Sequence, residues 1–252
     1  MGYVMKVVNR FGLSKVMTLG LISFACLLPS GILKAQVASV KTATSVKTDA
    51  NVNYVSSYIF RGRTVNKGSA VQPNLELIVA KQAQLGVWGN FPVDQTNEEL
   101  KQEVEVYFRY GVPVGFANFI VGAWEYVYPE DRDNRPNDRE IEFTAALDLP
   151  LNPSLSAFVG IEGERDNSEY YEFSVNQDLL RMQKLSLSVG GNVGYLDSDE
   201  GEDGFSHAMI TLGAGYEILN ASLNWIIETD EDVNELDGQE DFYLQVGSGY
   251  SF

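Results

Sequence analysis

The segment Phe242-Tyr-Leu-Gln-Val-Gly-Ser-Gly-Tyr-Ser-Phe252 places Phe242, Leu244, Val246, Tyr250 and Phe252 on one parity. Tyr243, Gln245, Gly247, Gly249 and Ser251 take the other. Successive side chains of an extended chain point to opposite faces, so this is a strand with one greasy face and one small or polar face. It runs to the last residue of the sequence, and Ser248 interrupts the apolar row. Water-soluble domains seldom finish on an exposed aromatic.

The opposite end reads as a targeting segment. Lys6, Arg10 and Lys15 form a basic start, Val16 to Leu28 is an apolar core, and Pro29, Ser30 and Gly31 break it before Ala35. That core is shorter than the roughly 20 apolar residues a spanning helix needs, so residues 1–35 are expected to be an export signal. The sole cysteine, Cys26, lies inside it, with Ser23 where a lipidation site wants an aliphatic residue. Cleavage after Ala35 therefore leaves no thiol chemistry and no disulfide.

The full chain carries a net charge of −17. The signal removes Lys6, Arg10, Lys15 and Lys34 and no acid, so the exported chain is more acidic still. Such a balance excludes nucleic acid as a partner, since phosphates are repelled. No later segment is apolar enough for a membrane helix, which leaves a closed barrel as the only membrane-spanning option.

Residues 36–49 read as a loose periplasmic lead-in, and 50–252 as one barrel domain. Twelve strands are expected, at 51–60, 71–80, 85–91, 102–111, 117–128, 139–148, 154–164, 169–177, 185–195, 206–216, 221–229 and 240–252. In one of them Ile141, Phe143, Ala145 and Leu147 oppose Glu140, Glu142, Thr144 and Asp148. Connections after even-numbered strands are tight, and those after odd-numbered strands are mostly long and charged. The fold class is therefore all-β: an antiparallel transmembrane β-barrel of about 12 strands, with short periplasmic turns and longer acidic extracellular loops. Ten strands remain open if the weak third segment is loop. Aromatics such as Tyr54, Tyr58, Phe60, Tyr110, Trp124, Tyr126, Tyr128, Tyr195, Tyr216 and Tyr250 fall on the apolar parity, as membrane-interface rings would.

The terminal strand resembles the closing strand of outer-membrane barrels, in which Tyr250 and Phe252 would be the signal read by the barrel-assembly machinery. The opening Ser56-Ser-Tyr-Ile-Phe-Arg-Gly62 carries a Ser-x-Tyr-x-x-Arg-Gly pattern, with Ser56, Tyr58, Arg61 and Gly62 in the matching places. In this the chain resembles the TorF-type porin family of bacterial outer-membrane barrels, also known through the domain named Gcw_chp. The resemblance implies an outer-membrane barrel in a Gram-negative cell, exported by its signal peptide. It implies nothing about the solute.

Glu76, Glu103, Glu105, Arg109, Glu140, Glu142, Glu162, Glu172 and Glu228 are expected to face the lumen, with Glu125, Asp148 and Glu164 beside them. An acid-lined lumen draws cations and repels anions, so a diffusion pore with cation preference is the expected function. The alternative is a non-conducting surface or structural barrel whose lumen carboxylates are paired internally and whose acidic loops bind a partner. Those loops hold Asp197, Asp199, Glu200, Glu202 and Asp203, and then Asp230, Glu231, Asp232, Glu235 and Asp237. The second starts like a calcium loop but has Glu235 where the turn glycine belongs, so no metal site is expected. Lipid and lipopolysaccharide are the expected surroundings of the loops. The first loop is basic through Arg61, Arg63 and Lys67, suited to lipid phosphates or to the acidic loops. Catalysis has little support: His207 is the only histidine, and Ser206, its sequence neighbour, should point to the opposite face of a strand. No catalytic residue and no cofactor are expected.

Overall fold

The computed structural model describes residues 45–93, 102–130, 135–199, 203–227, 233 and 241–252. The export signal, most of the lead-in, Glu200, Glu202, Glu228 and the loop acids from Asp230 to Asp237 (Val233 apart) lie outside them. The elements are β1 (Val46–Val55), β2 (Tyr58–Phe60), β3 (Arg63–Asn66), β4 (Ala70–Val79), β5 (Ala83–Pro92), β6 (Glu103–Val114), β7 (Ala117–Val127), β8 (Asp138–Leu147), β9 (Ser154–Glu162), β10 (Glu169–Arg181), β11 (Leu185–Asp197), β12 (Gly204–Tyr216), β13 (Leu219–Ile227) and β14 (Phe242–Ser251). β1 and β4 to β14 form a closed barrel in sequence order, and β2 pairs only with β3. Every barrel pairing is antiparallel, and β1 closes the ring against β14 with Ala50 opposite Tyr250 and Asn53 opposite Gly247. The twelve-strand reading holds, including the weak third segment, which is β5.

The outer surface explains why this sequence alternates. Leu75, Leu77, Leu85, Val87, Val106, Phe108, Val121, Phe143, Leu212, Leu223 and Leu244 all point outward and are well exposed. An apolar band of that extent is untenable in water but matched to lipid, where closure also pairs every strand edge. Tyr110, Tyr216, Tyr250 and Phe252 are exposed near one end of the barrel, and Tyr54, Phe91, Phe205, Trp225 and Phe242 near the other. Two aromatic belts flank the apolar band. The short connections 80–82, 115–116, 148–153, 182–184 and 217–218 gather at the first of these ends, hereafter the turn end. Most of the longer ones gather at the other, the loop end.

The first strand differs from the sequence expectation. It begins at Val46, inside the stretch read as lead-in, and stops at Val55 rather than Phe60. Val46, Thr48, Ala50, Val52 and Tyr54 share the outward parity, while Lys47 and Asp49 share the inner one and bond at 2.7 Å. At its upper end Ser56 still exchanges backbone and side-chain hydrogen bonds with Leu244. The chain then leaves the wall and turns inward. Residues 56–69 are thus not an outer basic loop, and Tyr58 and Phe60 are not interface aromatics.

Ring closure between the first and last strands has a direct test. A Cβ built on Gly249 would lie 3.3 Å from the Asn51 Cβ, close to the usual ~3.5–4.5 Å disulfide separation. Asn51→Cys combined with Gly249→Cys should cross-link on mild oxidation and shift mobility on a non-reducing gel. Failure to cross-link in the folded protein would contradict the seam.

Candidate functional site

The inward excursion is a two-stranded hairpin. Phe60 pairs with Arg63, and the turn residues Arg61 and Gly62 both have positive φ, 51° and 80°. Two consecutive left-handed residues make the tight turn whose twist suits a hairpin, with glycine second. Glycine is required on steric grounds as well, because a Cβ at position 62 would fall 2.4 Å from the His207 Cβ.

The hairpin spans the lumen. From its β2 strand the Tyr58 hydroxyl donates to Glu103 on β6 at 2.9 Å, and its ring meets Trp88 on β5 at 5.6 Å. At the tip, Arg61 grips Glu140 on β8 with two parallel bonds, Nη1 to Oε1 at 2.8 Å and Nη2 to Oε2 at 2.6 Å. The same guanidinium sits 4.3 Å from the Tyr170 ring, 4.7 Å from Phe158 and 4.8 Å from Phe60. Phe158 belongs to β9, which lies diametrically opposite β1 in the closed order. Burial opposes the charge of Arg61, but Glu140 outweighs it and holds the pKa above the ordinary arginine value. A buried ion pair keeps its charges only when geometry and further hydrogen bonds offset desolvation. Here Tyr126 supplies one more, donating to Glu140 at 2.8 Å.

A second arginine comes from the connection after β9. Gly163–Arg165 forms one turn of 3-10 helix, and Arg165 lies over Tyr126 at 3.9 Å and Phe60 at 4.5 Å. It approaches Asp138 at 3.4 Å, Glu140 at 3.8 Å and Glu103 at 4.0 Å. Arg135 completes the group, 3.2 Å from Asp138 and 2.9 Å from Glu164 and stacked on Tyr128. Three guanidinium groups and the buried acids Glu103, Glu105, Asp138 and Glu140 thus share the loop end of the lumen with the hairpin.

Three further lumen carboxylates are held differently. Glu142 accepts two bonds from Arg109, at 2.9 and 2.7 Å, and others from Trp124 and Thr144. Glu76 accepts from the Tyr107 hydroxyl at 3.0 Å. Glu172 accepts from the Tyr170 hydroxyl and the Asn192 amide, both at 3.0 Å. Across from these, the inner faces of β1 and β11 to β13 present Asn51, Asn53, Ser186, Ser188, Thr211 and Ser222, all half-exposed. Bulky ionic side chains crowd one half of the wall and small polar ones line the other.

Of the sequence-expected lumen residues, Glu76, Glu103, Glu105, Arg109, Glu140, Glu142 and Glu172 do face inward. Glu162 does not. A register shift between Arg139 and Glu140 leaves Ile161 without a partner and swings Glu162 to the outer rim, where it pairs with Arg139 and stays exposed. Glu125 faces out as well, 3.1 Å from Arg139, because Trp124 and Tyr126 take the inner parity of β7. Trp124, Tyr126 and Tyr128 are lumen residues, not interface rings. Glu164 also lies outside the lumen wall, exposed in the 3-10 turn. Ser206 and His207 are both buried, contrary to simple alternation: Gly194 pairs with His207 but Tyr195 with Phe205, so Ser206 is the extra residue of a bulge. Its hydroxyl lies 3.0 Å from His207 Nδ1, and the ring also bonds the Arg61 backbone. That imidazole seats the hairpin. Asp138, one residue before the expected start of its strand, and the loop residues Arg135 and Arg165, which carry no parity, escaped the sequence reading.

A family model describing bacterial proteins of unknown function, Gcw_chp, matches residues 39–248. The chain belongs to the Gcw_chp family. Ser56, Tyr58, Arg61 and Gly62, the residues on which the sequence resemblance rests, form the root and tip of the lumen hairpin. No curated protein matches the sequence significantly. Among solved structures the chain is similar to an outer membrane channel from Pseudomonas putida F1, at 10% identity and a TM-score of 0.48, with 84% of this chain and 97% of that one covered. It is similar to OmpF of Salmonella typhi at 9% identity and a TM-score of 0.39, covering 83% and 97%. Against the outer membrane protein OprD of Pseudomonas aeruginosa the values are 13% and 0.40, with 81% of this chain and 65% of that one covered.

If Gly62 is required by contact with His207, Gly62→Val should dislodge the hairpin at a cost of roughly 1–3 kcal/mol. Trypsin added from outside should then cut after Arg61 or Arg63 in the variant and spare the parent barrel. Equal resistance in both would contradict the seating.

Proposed function

We propose that this chain is a diffusion channel of the Gram-negative outer membrane for small polar solutes, closed at rest by the β2–β3 hairpin. The observation that carries this reading is the division of the lumen. Its loop end is filled by a hairpin bound through one bidentate ion pair, whereas its turn end keeps half-exposed Ser, Thr and Asn side chains along β1 and β11 to β13. A barrel serving only as a scaffold gains nothing from solvated polar side chains on its inner wall. The outward Tyr250 and Phe252 suit recognition by the assembly machinery after export, and the loop acids suit a lipopolysaccharide surface bridged by divalent ions.

We assign the cation preference to Glu76 and Glu172. Glu142 is offset by Arg109 in two bonds, and Glu140, once Arg61 withdraws, still has Arg165 at 3.8 Å, so their fields are largely screened. Glu76 and Glu172 accept from neutral donors rather than from an arginine.

Planar-bilayer recordings test both parts. Replacing residues 57–67 by a short Gly-Ser linker should raise conductance well above that of the parent. Glu76→Gln with Glu172→Gln in that background should lower the potassium-to-chloride permeability ratio by about two- to fivefold, the scale of one unit charge a few ångströms from a hydrated ion. A linker variant that is folded, inserted and silent would identify a non-conducting barrel acting through its loops.

A further inference from the structure

The surroundings of Arg61 form a binding site in their own right. The floor is Glu140, whose two oxygens face the guanidinium edge at 2.8 and 2.6 Å and whose Oε2 is oriented by the Tyr126 hydroxyl. The walls include Tyr170 at 4.3 Å and Phe158 at 4.7 Å from the guanidinium carbon. Glu172 stands behind Tyr170, which donates to it. A carboxylate presenting both oxygens to a planar fork, between aromatic faces, is the chemistry that recognises a guanidinium rather than a generic cation. None of these four wall and floor residues belongs to the hairpin: they lie on β8, β7, β9 and β10 and remain in place if the hairpin withdraws.

We propose that Glu140, Tyr126, Phe158 and Tyr170 constitute a guanidinium-binding site of the channel, occupied at rest by the chain's own Arg61. The hairpin tip acts as a tethered mimic of the solute. A guanidinium-bearing solute that takes Glu140 competes with Arg61 and favours the open lumen, so cargo and gate meet at one carboxylate. Arg165, 3.8 Å from Glu140 and stacked on Tyr126, stays behind as a second cation. It weakens the site for any cation but does not fill the fork, since its nearest carboxylate is Asp138. The inference rests on the channel reading for its purpose, though not for the binding itself.

The test is calorimetric titration of the detergent-folded full-length barrel with methylguanidinium chloride, with ethylammonium as a cation of equal charge and no fork. Arg61→Ala empties the site and should bind methylguanidinium at least roughly tenfold more tightly than the parent, in which the solute must displace Arg61. Arg61→Ala with Glu140→Gln should bind roughly tenfold more weakly or not at all. If Arg61→Ala does not refold, Arg61→Met keeps the apolar stem and serves instead. Equal binding of the two cations, or equal binding with and without Glu140, would overturn the proposal. Recording the same variants in bilayers separates the two ideas. Binding without current upholds the site and refutes the channel; current that methylguanidinium neither blocks nor alters, with no heat of binding, upholds the channel and refutes the site.

Discussion

Glu140 is a carboxylate inside a membrane barrel, almost inaccessible to solvent, and it must be satisfied there. Leaving such a charge alone would cost several kcal/mol, so whatever holds it determines the shape of the lumen. Arg61 holds it, and Arg61 can do so only from the tip of a hairpin that leaves the wall after Val55. The two positive-φ turn residues, the missing Cβ at Gly62 and the imidazole of His207 all follow from delivering one guanidinium to one place. Phe60, Phe158 and Tyr170 then exclude water from the pair, which strengthens it. The hairpin is not ornament on a pore but the partner that the wall's charges require.

The barrel around it obeys a simpler rule. Lipid demands an apolar side chain at every second position, and the antiparallel ring leaves no unpaired edge. The inner parity is free of that demand. It divides accordingly: β6 to β8 carry long ionic and aromatic side chains that hydrogen-bond to one another, while β11 to β13 carry Ser, Thr, Asn and Gly. An ionic and aromatic buttress on one side of the lumen therefore faces small polar side chains on the other.

This asymmetry explains what was legible in the sequence. The strands were readable because lipid enforces period two; Ile141 and Phe143 against Glu140 and Glu142 needed no structure to interpret. Most of the inward carboxylates followed from the same parity. The misreadings fall where parity breaks. Ile161 and Ser206 are extra residues in bulges, which send Glu162 to the rim and bury Ser206 beside His207. Trp124 and Tyr126 resemble interface rings by type, yet their hydroxyl and indole donors serve Glu140 and Glu142. Above all, a basic segment between two strands reads as an outer loop, and nothing local reveals that the arginine's partner lies 79 positions downstream.

The hairpin tip must sit in the lumen for Arg61 to reach Glu140, and the single histidine offers a clean reporter of its place. Protein labelled selectively at histidine and glycine, folded in bicelles, should give nuclear Overhauser contacts between the His207 side chain and the Gly62 α-protons, which lie in van der Waals contact. Those contacts should vanish when Arg61 is replaced by alanine if the ion pair is what holds the tip. A folded barrel whose His207 shows no contact with Gly62, and whose ring instead exchanges with bulk water, would place the hairpin outside the lumen and contradict the account.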